Sequence, residues 1–92
     1  MTNAIVTVKI MPVSPDVDLE AVKEKALEEI KTFAGEGDTK SEIQPVAFGL
    51  NALSIIFIMD ESLGSPDVLA EKVEAMDGVN SAEITDVRRA VG

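Results

Sequence analysis

The chain contains no cysteine, histidine, tryptophan or tyrosine. Without cysteine there is no disulfide framework, no thiol nucleophile and no sulfur-ligated metal. Without histidine, the commonest general base and the usual zinc ligand are lost, and with them the Ser-His-Asp class of triads. Chemistry would have to rest on carboxylates, lysines, arginines and hydroxyls. Long apolar runs are missing too. The longest, 55–59, falls far short of the ~20 residues a helix needs to cross a bilayer. No basic region precedes an apolar segment near Met1, so a secretory signal is not expected. Basic residues are scarce, eight against seventeen acidic, for a formal net charge of −9. A surface of that sign repels phosphate backbones and argues against nucleic-acid binding, while suiting solubility or a basic protein partner.

What is present is enough for a folded unit. The 92 residues, 46% of them apolar, correspond to a single domain spanning 1–92 with one core and little surplus stability. A soluble, cytoplasmic chain is expected, monomeric when free, with no membrane segment.

Six elements follow one another. Residues 4–11 alternate, with Ala4, Val6, Val8 and Ile10 on one face and Ile5, Thr7 and Lys9 on the other, which predicts a strand ended by Pro12. From Asp18, a helix N-cap, the period changes: Leu19, Val22, Ala26, Ile30 and Phe33 recur at steps of three and four. The exposed face of this helix is acid-rich, and Gly35 and Gly37 stop it. A weaker strand at 40–46 contains Pro45, which cannot donate to a ladder and so marks a sheet edge. The run at 53–59 reads as a central strand buried on both sides. After a loop at 60–64, Ser65-Pro66-Asp67 starts a second helix, with Leu69, Val73 and Met76 inward and Gly78 at its close. A last strand is predicted over 79–87, with Ala82 and Ile84 on one face.

This order is βαββαβ, an α+β ferredoxin-like arrangement. Two right-handed crossovers would put the first and third strands in the middle of a four-stranded antiparallel sheet, with both helices on one face. The other face, carrying Ile5, would be free to dock a partner.

Two stretches carry the functional signal. The first is Pro45-Val46-Ala47-Phe48-Gly49-Leu50-Asn51-Ala52-Leu53, which sets one of only three phenylalanines beside a glycine in a turn. Phe48 either folds back as a lid on the core or serves as an anchor in a partner's pocket. The second is Asp86-Val87-Arg88-Arg89-Ala90-Val91-Gly92, which holds the only two arginines of the protein. Placed beyond the last strand, they form either a solubilising tail or a donor for carboxylate or phosphate. The carboxylate pairs Asp16/Asp18 and Asp60/Glu61 lack the spacing of a calcium loop, and Asp18 is accounted for as a cap, so no metal site is expected. The glycines match no phosphate-cradling loop, and no aromatic–basic interleaving marks an RNA-binding sheet. No cofactor is expected.

The segment from Gln44 to Leu53 is similar to the "P-I-G/A-F-G-[IL]-x-x-L" segment of the translation elongation factor 1-beta family. The opening residues Ile10-Met11-Pro12 to Leu19, and the closing stretch Val79-Asn80-Ser81 to Arg89, resemble the archaeal branch of that family. The resemblance implies a ferredoxin-like domain that promotes GDP–GTP exchange on elongation factor 1-alpha during translation elongation. It would act by binding rather than as an enzyme. It implies that Phe48 inserts into the GTPase, with Ala47, Gly49, Leu50 and Asn51 around it. It further implies that Arg89, with Arg88 sharing or replacing it, reaches the Mg²⁺ and phosphate region of the partner. Two positions depart from the pattern. The eukaryotic basic residue is a next-to-last lysine, whereas Arg89 is followed by three residues, and Asn51 stands where relatives often have lysine.

Two other functions fit the fold class. A regulatory module binding a small molecule would need a polar pocket between loops. A hydrolase of the acylphosphatase type would need an early arginine, and none precedes Arg88.

Overall fold

The computed structural model describes residues 3–35, 37–46 and 49–90. Its elements are β1 (Asn3–Pro12), α1 (Leu19–Ala34), β2 (Thr39–Pro45), β3 (Asn51–Asp60), a single 3₁₀ turn (Glu61–Leu63), α2 (Asp67–Glu74) and β4 (Val79–Ala90). The strands form one antiparallel sheet in the order β2-β3-β1-β4. This is the ferredoxin-like α+β architecture expected from the pattern, with the two most apolar strands central and the Pro45 strand at an edge.

Alternation along β1 decides which face is covered. Ala4, Val6, Val8 and Ile10 lie opposite Met59, Phe57, Ile55 and Leu53 of β3, and all eight are buried. Val22, Ala26 and Ile30 of α1, and Leu69 and Val73 of α2, close over this layer. Each Val, Leu, Ile, Phe or Met side chain among these contributes roughly 1.5–3 kcal/mol on leaving water, before entropy is counted. The other sheet face has no helix on it. There Ile5 lies opposite Ile58 and Thr7 opposite Ile56, flanked by Lys40 of β2, itself paired with Ile56. The expectation that residues 53–59 are buried on both sides is therefore corrected. The strand is central between its neighbours, but Ile56 is only half-buried and Ile58 is 40% exposed on the open face.

Local signals set the helix ends. Asp18 caps α1, its carboxylate accepting from the Glu20 N–H at 3.0 Å. Gly35 ends it with φ +82 and donates to the Lys31 carbonyl at 2.9 Å. The start of α2 differs from expectation by a residue: helical geometry begins at Asp67, with Pro66 in the cap position. The Ser65 hydroxyl still accepts from the Asp67 N–H at 3.2 Å. Met76 lies past the end of this helix yet packs against the core, and Gly78 belongs to the turn into β4, its carbonyl accepting from the Val13 N–H at 3.0 Å. The expected loop at 60–64 is tighter than a loop: β3 runs through Asp60 and passes directly into the 3₁₀ turn.

The largest correction concerns β4. It continues to Ala90, three residues beyond the expected end, so Arg88 and Arg89 sit inside a paired strand rather than on a tail. Two irregularities interrupt its pairing with β1, one between Met11 and Pro12, where the partner steps from Ser81 to Val79, and one between Thr7 and Val8. Val8 faces Ile84 and Thr7 faces Asp86, leaving Thr85 as the extra residue of a bulge, with its hydroxyl donating to the Thr7 carbonyl at 3.4 Å.

Phe57→Ala, removing the largest fully buried side chain, is expected to cost about 3–5 kcal/mol of unfolding free energy in urea titrations. Gly78→Ala is expected to cost about 1–2 kcal/mol or more in the same measurement, because its φ is +85 and an added Cβ would lie 3.2 Å from Val17 Cγ1.

Candidate functional site

The hairpin joining β2 to β3 is closed at its base by two pairings. Pro45 lies opposite Asn51, and the Val46 N–H donates to the Leu50 carbonyl at 2.8 Å. Three residues remain between Val46 and Leu50, and the third, Gly49, has φ +76. A left-handed last residue is what a three-residue hairpin loop demands, and glycine adopts it without strain. Nothing lies within 4 Å of a Cβ built on Gly49, so the requirement is conformational and not one of space. Leu50 is half-buried and Asn51 exposed, while Ala52 behind them is buried. Ala47 and Phe48 lie outside the described residues.

The two arginines are at the opposite end of the sheet. Arg88 is in register with Ile5 and Arg89 with Ala4, whereas the hairpin base adjoins the end of β1 that carries Ile10 and Pro12. From Asn51 to Met59, the β3 residue in register with Ala4, is eight residues, or about 26 Å of extended chain. The molecule is 41 Å along its longest axis, so these features occupy its two ends.

Strand alternation sends the adjacent arginines to opposite faces. Arg88, in the row of Ile5 and Ile58, belongs to the open face; its Nε donates to Asp86 Oδ2 at 2.8 Å, two residues earlier on the same strand. Arg89, in the row of Ala4 and Met59, belongs to the helix side; its Nε donates to Glu61 Oε1 at 3.0 Å. Both guanidinium-bearing side chains remain accessible, at 77% for Arg88 and 70% for Arg89. The two cannot grip one group together as a side-by-side pair. Val87, which precedes them and shares the face of Arg89, is a large apolar side chain exposed to 53%.

Sequence reasoning did not single out Glu61 as Arg89's neighbour. The turn that holds it is fixed by two hydrogen bonds. Asp60 Oδ1 accepts from the Ser62 N–H at 2.9 Å, and the Gly64 N–H, at φ +93, returns to the Glu61 carbonyl at 3.3 Å. Of the four loop carboxylates weighed as weak metal ligands, Asp18 and Asp60 thus accept backbone N–H groups and Glu61 faces a guanidinium. Among the described residues no group of three or more carboxylates is arranged to hold a metal ion, and no polar side chain is buried. A depression of about 300 Å³ is lined by Leu27, Ile30, Lys31, Gly35, Gly37 and Thr39 and lies between the end of α1 and the start of β2.

Comparison with known proteins adds the following. The model of the EF-1 guanine nucleotide exchange domain matches residues 5–90. The chain is 39% identical over 89 residues to elongation factor 1-beta of Methanothermobacter thermautotrophicus, covering 97% of this chain and 98% of that protein. It is 44% identical over 89 residues to elongation factor 1-beta of Methanobrevibacter smithii, with the same coverage. Among solved structures, the de novo designed protein Foldit4 superposes with a TM-score of 0.63 at 17% identity, covering 98% of each chain. The BlrP1 BLUF chain does so with a TM-score of 0.58 at 12% identity, covering all of this chain and 57% of that one. These two likenesses concern the fold alone.

The Asp60 carboxyl is held below its ordinary pKa, chiefly by the Ser62 N–H and further by the Ser62 hydroxyl, against a small opposing effect of desolvation. Because the folded value is depressed, the contribution of Asp60 to stability is complete above the ordinary carboxylate range of about pH 4 and fades as pH falls through the folded value. A carbon-detected NMR titration is expected to show Asp60 titrating below the ordinary aspartate value in the folded chain and returning to that value in urea.

Proposed function

The chain belongs to the EF-1 guanine nucleotide exchange domain family, in its archaeal elongation factor 1-beta branch, and from that membership we propose that its partner is the GTPase elongation factor 1-alpha. Its role is that of an exchange factor in translation elongation. The family match across residues 5–90 carries this reading. The whole chain acts as one exchange domain in the cytoplasm, and it does so by binding, with no covalent step of its own.

A GTPase retains GDP through Mg²⁺, phosphate-loop donors and a base pocket. An exchange factor has only to bind the nucleotide-free state better than the GDP-bound one. The coupling is reciprocal, so the same free energy that expels GDP is returned when GTP expels the factor. Two contacts at the two ends of this sheet divide the task. At the hairpin, Phe48 enters an apolar pocket of the GTPase, flanked by Ala47, Gly49, Leu50 and Asn51, and supplies the anchoring energy. Fixed φ at Gly49 and the Val46–Leu50 bond limit the conformational freedom lost on docking. At the far end a guanidinium approaches the Mg²⁺ and phosphate region, opposing the cation and competing for its ligands.

Since Arg88 and Arg89 leave opposite faces, one of them takes the second role. We assign it to Arg89. Its partner Glu61 lies on a different element, whereas Arg88 is held by Asp86 on its own strand. A contact region about 26 Å from the hairpin also requires the GTPase to reach along most of the 41 Å axis. The rival reading, a small-molecule regulatory module, finds less support. The depression between α1 and β2 has no buried polar side chain among the described residues to fix a ligand.

Phe48→Ala is expected to keep the wild-type melting temperature and lose about thirtyfold or more in affinity for elongation factor 1-alpha, as loss of a hot spot of about 2 kcal/mol requires. Calorimetry of the wild type and the variant checks this: a lowered melting temperature with wild-type affinity would make Phe48 a lid on the core instead. Arg89→Ala is expected to retain binding but lower the saturating rate of release of a fluorescent GDP analogue by about tenfold, the worth of one charge-assisted hydrogen bond. Arg88→Ala is expected to change that rate little, and equal losses would reverse the assignment.

A further inference from the structure

We infer that Glu61 is a positioning residue for Arg89 in nucleotide exchange, an inference that rests on the role given to Arg89 above. Four observations lead to it. First, the contact is made through Arg89 Nε at 3.0 Å, which leaves the terminal amino groups of the guanidinium for another acceptor. Second, Glu61 is the less exposed member and the one on the hydrogen-bonded turn. Its side chain is 37% exposed against 70% for Arg89, and its backbone is fixed between the Asp60–Ser62 cap and the Gly64 return bond. Third, by register the neighbours of Arg89 on its face are Ala4, Met59 and Val87, none of which offers a side-chain acceptor. Fourth, Glu61 and Arg89 are 28 residues apart in sequence and come from different elements, so the pair ties the end of β4 to the turn after β3.

An arginine side chain free in water samples many rotamers, and confining it at the moment of docking costs free energy that a prior tether removes. An exposed ion pair is weak enough to be exchanged for a stronger acceptor when the partner arrives. Glu61 thus confines the guanidinium in the free protein, aims it past the sheet end, and yields it in the complex. It touches neither nucleotide nor Mg²⁺.

The test compares wild type, Glu61→Gln, Arg89→Ala and the double variant, titrated against GDP-analogue-loaded elongation factor 1-alpha. Glu61→Gln is expected to lower the saturating release rate about threefold, within the range of an exposed ion pair, with the half-saturating concentration unchanged. The substitution is expected to have no effect in the Arg89→Ala background. The deficit is further expected to shrink as KCl rises from ~0.05 M to ~0.5 M, since screening erases an exposed pair but not a structural defect. Glu61→Lys, which repels the guanidinium, is expected to lose more than Glu61→Gln and to keep the wild-type melting temperature. An unchanged or faster rate in Glu61→Gln, or an equal loss with and without Arg89, would overturn the positioning role while leaving Arg89 in place. An Arg89→Ala single variant as fast as wild type would instead remove the underlying assignment, and the inference with it.

Discussion

At the centre of the sheet Val6 faces Phe57 and Val8 faces Ile55, and these side chains are out of contact with water. Because a slip of one residue would carry the whole apolar set of β1 to the wrong face, this pairing admits a single register. The rest of the structure is arranged around that constraint. Both helices must lie on the face where these residues point, which leaves the opposite face bare. The β2–β3 hairpin must emerge at the end where Ile10 meets Leu53, and the end of β4 must emerge where Ala4 meets Met59. The separation of the two candidate contact regions is thus a product of core packing, although neither region belongs to the core.

Much of this was legible in the residues. The two-residue period of β1, the Asp18 cap, the three-and-four spacing of α1 and the Gly35 stop all act locally, and each was found where the pattern put it. The edge position of β2 followed from the missing N–H of Pro45. The errors have physical reasons as well. The unbroken run 55–59 looks like a strand buried on both faces, but an α+β sheet with helices on one side leaves alternate residues to water, and Ile56 and Ile58 are those residues. The end of β4 was missed because Asp86, Arg88 and Arg89 are charged. On a strand whose pairing with β1 ties down only one edge, charge is no obstacle to ladder hydrogen bonds.

Which arginine faces which way was not legible at all. Strict alternation from Ala82 and Ile84, both on the covered face, would put Arg88 there as well and Arg89 on the open side. The bulge at Thr85 inserts one residue and inverts that order. Nothing in the composition of Glu83-Ile84-Thr85-Asp86 announces it, since a bulge is settled by pairing with a distant strand. Glu61 was hidden for the same reason, its relation to Arg89 being one of register across the sheet. The hairpin, by contrast, was recognisable from its own residues, because Gly49 answers a local requirement of backbone geometry.

The bulge also makes the strand lengths a gauge. One residue added or removed between Thr7 and Ala4, or in the matching part of β4, would shift the distal end by about 3.3 Å and at the same time turn its side chains to the opposite face. The spacing and the facing of the distal contact can therefore not drift separately or by small steps. Descent with insertions and deletions is tolerable between α1 and β2, where Gly35, Gly37 and Asp38 are exposed and precede the first ladder pair, Thr39 with Phe57, while β1, β3 and β4 are held to fixed length by two demands at once.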